Sequence, residues 1–236
     1  MYKSDSPQYA LVDNRARQML DRPLRDLGLR PIYMPPSSLL APPIDSHPDM
    51  RCAVIGRKVF CSPGDESVFS DIKDIDITSC LSVPRGGYPG DAAYNCLIIG
   101  GRLVHNLRYT DKTILDYAKN TGMTLVHAEQ GYAGCSACVV DSGSAITSDK
   151  GIHATLVKSG VDCLLISEGH VQLDGYGYGF IGGASGLLDE RILLFTGDIG
   201  LHPDYQSIRS FVTSKGVNII CLTDLPLFDI GRIFVF

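Results

Sequence analysis

Cys135 stands apart from the other cysteines of this 236-residue chain. It follows Tyr132-Ala-Gly, a turn, and precedes an apolar run instead of lying inside one. A thiolate beside an imidazole attacks trigonal carbon, the imidazole carries the proton, and carboxylates hold a cationic group. The histidines in comparable polar turns are His47, within Ser46-His-Pro-Asp49, and His170. Asp49, Asp91, Asn95, Asp174 and Asp229 occupy turns of the same kind. Cys135, His47 and His170 are therefore the candidate catalytic residues, and the five acidic and amide residues the candidate substrate anchors. The plainer reading is a packed structural thiol at Cys135 and loop-fixing hydrogen bonds at the histidines, since free Cys is commonly buried and turn residues commonly satisfy backbone groups.

Residues so far apart act together only if the fold brings their turns together, and the chain carries a repeat that does this. Four glycines each stand between a helix-like segment and a short apolar run: Gly28-Leu-Arg-Pro-Ile-Tyr, Gly122-Met-Thr-Leu-Val-His, Gly160-Val-Asp-Cys-Leu-Leu and Gly216-Val-Asn-Ile-Ile-Cys. Glycine at this place ends a helix in the left-handed conformation that other residues take only with strain. Upstream, Ile114, Leu115 and Ala118, then Ile152, Leu156 and Val157, then Ile208, Phe211 and Val212, have helical spacing. Asn14 to Leu27 reads as a fourth helix, with Pro23 starting a turn of it or kinking it.

Before each helix comes a pair of short apolar runs: 96–99 with 103–107, 137–141 with 144–147, and 180–188 with 191–196. Cys52 to Ile55 with Lys58 to Cys61 opens a further unit, with a weaker helix near 66–73 and a closing strand near 76–81. First strands begin near positions 52, 96, 138 and 180, in steps of 44, 42 and 42. The unit is strand, strand, helix, strand. Ile230 to Phe236 completes a fifth unit with the helix and strand of residues 14 to 34. The expected organisation is a single domain over residues 1–236, with units near 230–236 joined to 9–34, 50–83, 94–128, 136–168 and 178–223.

Composition limits the function. Apolar residues are 44% and charged residues 20%, enough to bury a core. A net charge of −5 gives no electrostatic footprint for nucleic acid or anionic lipid. No apolar run approaches the ~20 residues needed to cross a bilayer. Met1-Tyr-Lys-Ser-Asp-Ser-Pro has no basic and apolar signal pattern, so the expected compartment is the cytosol. Cys52, Cys80, Cys96, Cys163 and Cys221 lie in or beside strand-like runs and read as reduced core thiols.

Five strand–strand–helix–strand units closed head to tail resemble the pentein fold, the α/β propeller of the guanidino-group-modifying enzymes and of a ribosome-associated translation factor. Leu173-Asp-Gly175 is similar to the Asp-Gly-Gly turns of that superfamily, and Ala145-Ile-Thr-Ser-Asp-Lys-Gly151 to its turn into a helix. The resemblance implies that the loops entering each first strand converge on a pseudo-fivefold axis. It implies a cysteine-dependent hydrolase or transferase acting on a small guanidino or amidine compound, with His47 or His170 as base. One departure stands out: the guanidino-modifying members carry their nucleophilic cysteine near the C-terminus, and Asp229-Ile-Gly-Arg-Ile-Phe-Val-Phe236 has none. The alternative is a non-catalytic pentein that binds a small molecule or a protein partner. A three-layer α/β sheet is the alternative fold, but it leaves the paired strands before each helix unexplained.

Other motifs are read structurally. Cys135-Ser-Ala-Cys138 opens a strand, not a helix, and has no second Cys pair, which argues against redox and zinc roles. The glycine run from Gly175 to Gly183 leads into strand material, so close backbone packing near the axis explains it better than phosphate binding. Asp204 in His202-Pro-Asp204 is expected to cap the helix that follows. His105, His127 and His153 receive no role. The expected partner is a small cationic ligand, without nucleic acid or membrane, without cofactor or metal, and with the oligomeric state open.

Overall fold

The computed structural model describes residues 8–72 and 74–236. The N-terminal heptapeptide read for a signal, and Lys73 at the end of the weak helix, lie outside the described residues.

The chain runs through β1 (Tyr9–Asp13), α1 (Arg17–Asp26) and β2 (Arg30–Met34), then β3 (Cys52–Ile55), β4 (Lys58–Cys61) and β5 (Asp76–Ser79). Next come β6 (Leu97–Ile99), β7 (Arg102–His105), α2 (Lys112–Asn120) and β8 (Thr124–His127). A short helix α3 (Ala133–Ser136) leads into β9 (Ala137–Asp141), β10 (Ser144–Thr147), α4 (Lys150–Lys158) and β11 (Asp162–Leu165). The last parts are β12 (Ser185–Asp189), β13 (Ile192–Phe195), α5 (Tyr205–Ser214), β14 (Asn218–Cys221) and β15 (Phe234–Val235).

The strands form five three-stranded sheets: β15-β1-β2, β3-β4-β5, β6-β7-β8, β9-β10-β11 and β12-β13-β14. In each, the middle strand pairs antiparallel with the first and parallel with the last, as Leu103 does with Ile98 on one side and Leu125 on the other. A parallel return needs a crossover, and the helix supplies it in four sheets; the β3-β4-β5 sheet uses a 3-10 turn, Asp65–Phe69, in place of the expected helix. The fifth sheet joins the two ends of the chain, Ala10 opposite Val235 and Leu11 opposite Phe234. The result is the five-bladed α/β propeller expected from the repeat.

The helix ends follow local chemistry. Gly28, Gly122, Gly160 and Gly216 all have φ between +73° and +81°, the left-handed cap read from the sequence. Asp111 and Asp149 cap α2 and α4 by accepting from Thr113 N and Ile152 N. Asp204 differs from expectation: its carboxylate accepts from Ser167 N at 2.6 Å and makes no cap bond to α5. Pro23 lies inside α1, where the helix loses one backbone donor.

Each helix buries one face on its sheet: Leu20 and Leu24, Ile114 and Ala118, Ile152 and Leu156, Ile208 and Val212. Val157 turns outward. The closing strands β5, β8, β11 and β14 lie outermost in their sheets, with half-buried centres and exposed ends. For that reason Cys163 is half-buried and Cys221 exposed, a correction to the reading of both as core thiols. The first strands gather inward, so the turns that precede them meet. Among the described residues no helix is long and apolar enough to cross a membrane.

Candidate functional site

Four of the turns that enter first strands deliver polar side chains to one buried group. His47 precedes and Asp49 lies within the 3-10 turn Pro48–Met50 before β3; Asn95 precedes β6; Cys135 sits in α3 before β9; Asp229 precedes β15. Asp13, at the end of β1, joins them. All six are buried.

Glycine makes the approach between these loops feasible. A Cβ on Gly231, whose φ is +65°, would stand 2.4 Å from His47 Cβ and 2.6 Å from Asp49 Oδ1. A Cβ on Gly183 would stand 2.0 Å from Asp229 Oδ1, and one on Gly182 2.5 Å from the Ala137 carbonyl. The glycine run therefore serves close backbone packing. It also explains why the expected strand 180–188 is shortened: residues 180–184 turn tightly around Asp229, whose Oδ2 accepts from Phe180 N at 2.8 Å. Its Oδ1 accepts from Gly231 N at 2.9 Å.

Asn95 holds the cysteine turn. Its Oδ1 accepts from Cys135 N at 2.9 Å, and its carbonyl accepts from Gly134 N at 2.8 Å. The Cys135 thiol faces the Tyr132 carbonyl at 3.5 Å. His47 stands between two carboxylates, with Nε2 3.7 Å from Asp13 Oδ2 and Nδ1 3.8 Å from Asp229 Oδ1. Asp13 is itself paired with Arg15, which donates to both of its oxygens.

Four buried polar atoms here have no hydrogen-bond partner among the described residues: His47 Nε2, both carboxylate oxygens of Asp49, and Ser136 Oγ. A buried carboxylate without partners costs free energy and is stabilised by taking up a proton or a cationic ligand. Burial, with the charge of Asp229 beside it, pushes Asp49 up to about 7. Burial likewise raises Asp229 to about 6, against its two backbone donors. Burial, followed by the charges of Asp49 and Asp229, raises the Cys135 thiol well above its ordinary value, so the unliganded group is a thiol. Burial, assisted by the Arg15 guanidinium, holds His47 well below the ordinary imidazole value, which keeps it neutral near pH 7.

Of the residues singled out from sequence, Cys135, His47, Asp49, Asn95 and Asp229 come together. Asp174 is exposed and lines a cavity of about 270 Å³ that Asp13, Arg15 and Asp229 also line, next to the buried group and not within it. Asp91 is buried apart from the axis and accepts from the Tyr132 hydroxyl at 2.9 Å, tethering the turn before α3. Burial raises its pKa against that bond.

His170 does not reach the cluster. Backbone bonds from Gln172 N to Leu227 O and from Asp229 N to Gln172 O, both 2.8 Å, fix the chain two residues further on. This leaves His170 exposed, its ring 5.1 Å from that of His202 beside a separate cavity. The sequence reading missed Asp13 and Arg15, although a carboxylate closing the apolar run Tyr-Ala-Leu-Val-Asp13 was a visible signal. Among the described residues no three His, Cys, Asp or Glu side chains are arranged to hold a metal ion.

Comparison with solved structures places this fold among the penteins. The chain is similar to the Pseudomonas aeruginosa DDAH complexed with citrulline, at 9% identity over 90% of this chain and 91% of that one, with a TM-score of 0.54. It is similar to an amidinotransferase of the saxitoxin biosynthetic pathway from Microseira wollei, at 10% identity over 92% and 88%, with a TM-score of 0.54. The C. jejuni agmatine deiminase matches at 11% identity over 92% and 88%, with a TM-score of 0.53. No curated protein matches the sequence. Residues 11–234 match a family described as "Family of unknown function (DUF6873)".

Proposed function

The chain belongs to this family of unknown function, DUF6873, and from that premise and its pentein fold we propose a Cys135-dependent hydrolase or transferase that acts on a small guanidino or amidine compound. The observation that carries the reading is the Asp49 carboxylate, fully buried beside Asn95, Cys135 and Asp229 with no well-formed hydrogen bond to either oxygen. A planar cation with several N–H donors satisfies such a group, and a neutral ligand without donors does not. The solved relatives whose names include DDAH, amidinotransferase and agmatine deiminase support the same substrate class.

The proposed sequence of events starts from the unliganded site and assigns His47, neutral near pH 7, as the acceptor of the Cys135 proton. Without a ligand, burial and then the charges of Asp49 and Asp229 keep Cys135 protonated. A guanidinium between them offsets that negative charge and removes a cause of the raised thiol pKa. The Cys135 proton passes to His47, and the sulfur forms a bond to the trigonal carbon as the C=N electron pair moves to nitrogen. Collapse breaks one C–N bond, and His47 returns the proton to the leaving amine. Water then attacks the Cys135-bound carbon in a hydrolase, or an acceptor amine in a transferase, and the sulfur departs and regains a proton. Asp13, paired with Arg15, stands 3.7 Å from His47 Nε2 and its charge favours the protonated imidazole.

The decisive experiment is turnover of a panel of guanidino and amidine compounds, monoalkylguanidines, amidines and guanidino acids, by the wild type and by Cys135→Ala. The expected outcome is conversion of at least one compound, lost in the variant. Full turnover by Cys135→Ala would overturn the reading.

A second reading, a binding protein without catalysis, is favoured by the buried, protonated thiol and by the absence of cysteine in residues 229–236. It keeps the ligand and drops the chemistry. Calorimetric binding of a guanidino compound with equal affinity to wild type and Cys135→Ala, and turnover by neither, would establish it.

A further inference from the structure

The propeller axis has a second opening that the proposed chemistry does not use. Into a cavity of about 290 Å³ every sheet sends an aliphatic side chain of its first strand, Val54 of β3, Ile98 of β6, Val139 of β9, Leu187 of β12 and Val235 of β15, and Arg232 lines it as well. All five aliphatic residues are half-buried. Between these aliphatic side chains the lining is polar, with Ser185 and the backbone of Gly56 and Gly186, and Arg232 is the single formal charge among the lining residues.

Arg232 is held there at a cost. Its φ of +73° makes it the one non-glycine residue at positive φ among the described residues, a conformation that is strained for a residue with a Cβ and that clusters at functional sites. The guanidinium lies 5.1 Å from the Phe234 ring centre. Its one hydrogen bond among the described residues, from Nη1 to the Cys96 carbonyl, is long at 3.5 Å. It belongs to none of the ion pairs of the described residues. A guanidinium presents a planar fork of donors matched to the two oxygens of a carboxylate.

We propose that this cavity binds a small aliphatic carboxylate, its two oxygens on the Arg232 fork and its hydrocarbon chain against the ring of Val54, Ile98, Val139, Leu187 and Val235. The site is distinct from the Asp49 cluster and takes a ligand of opposite charge.

The two sites adjoin through Arg232. A Cβ on Gly134, the residue before Cys135, would stand 3.2 Å from Arg232 Nη1. The positive charge of Arg232 favours the ionised forms of Cys135 and Asp49. A carboxylate on Arg232 offsets that charge, so its binding slows Cys135 ionisation, and a cation on Asp49 strengthens carboxylate binding by the reciprocity of linked equilibria.

The test is methyl NMR of the full chain labelled at Ile, Leu and Val, titrated with isocaproate and with its neutral isostere isocaproamide. Isocaproate is expected to shift the methyls of the five lining residues saturably, with a Kd on the order of 1 mM or tighter, and isocaproamide to bind at least about tenfold more weakly. Arg232→Gly suits the left-handed backbone and preserves the fold, as the remaining methyl spectrum reports, and is expected to weaken isocaproate binding by about tenfold or more. No saturable shift at these methyls, an equal response to the amide, or undiminished binding in Arg232→Gly would each overturn the proposal. None of these outcomes depends on whether Cys135 is catalytic.

Discussion

The Oδ1 of Asn95 accepts from the backbone N–H of Cys135 at 2.9 Å, across a separation of 40 residues. One amide side chain thus fixes the turn that presents the thiol, while burial and then the charges of Asp49 and Asp229 keep the thiol protonated.

Asn95→Ala leaves the buried Cys135 N–H without its acceptor. A loss of about 1–3 kcal/mol is expected, the cost of an unsatisfied buried donor, measured by urea denaturation. A variant as stable as wild type would show that water replaces the amide.

Cys135 is expected to react slowly with iodoacetamide in the free protein, with an apparent pKa above the ordinary ~8.5. Millimolar methylguanidine should lower that pKa and speed labelling near neutral pH by about tenfold, because one pKa unit is a factor of ten in thiolate. Peptide mass spectrometry reads both. Acceleration equal to that of the exposed Cys221 would remove the electrostatic argument.

Asp49 titrates at about 7 in the folded protein against an ordinary 3.8. Between these values the folded state retains a proton that the unfolded chain releases, so Asp49 makes stability fall as pH rises through this window. Asp229, raised to about 6, has the same sign. The low value of His47 has the opposite sign, with stability lost as pH falls below the ordinary imidazole value. Asp49→Asn is expected to be more stable than wild type by on the order of 1–3 kcal/mol at about pH 8, and by less at about pH 5. Denaturation at the two pH values checks the order, and a larger gain at the lower pH contradicts it.

Gly231→Ala places a methyl 2.4 Å from His47 Cβ, on a backbone at φ +65°. The combined strain and overpacking are expected to cost about 2–4 kcal/mol. Gly87→Ala, with open space around the added carbon, is the control and should change stability by less than about 1 kcal/mol.

His170→Ala is expected to leave stability within about 0.5 kcal/mol of wild type, as an exposed side chain does. It should leave turnover of any guanidino substrate unchanged, while His47→Gln lowers kcat by about a hundredfold or more. Reversed effects would reassign the base.

Much of this architecture is legible in the residues themselves. Helix spacing such as Ile208 to Val212, a glycine at each helix end and paired apolar runs are local properties, enforced by steric limits on φ and by the burial of one face. Repeated every 42 to 44 residues, they imply the propeller and the meeting of residues 230–236 with β1 before any contact is known. The convergence of Cys135, His47, Asn95, Asp49 and Asp229 follows because the turns before first strands face the axis.

What the sequence could not decide is which polar turn residues reach that axis, because reach depends on long-range backbone pairing. His47 and His170 look alike as residues in polar turns. The bonds between residues 172 and 227–229 leave one exposed, and the seat of Gly231 against His47 buries the other. Asp13 ends an ordinary apolar strand and acquires meaning only at 3.7 Å from His47. The protonation states belong wholly to the tertiary structure, since burial and neighbouring charge, not residue type, keep Cys135 a thiol and give Asp49 a proton near neutrality.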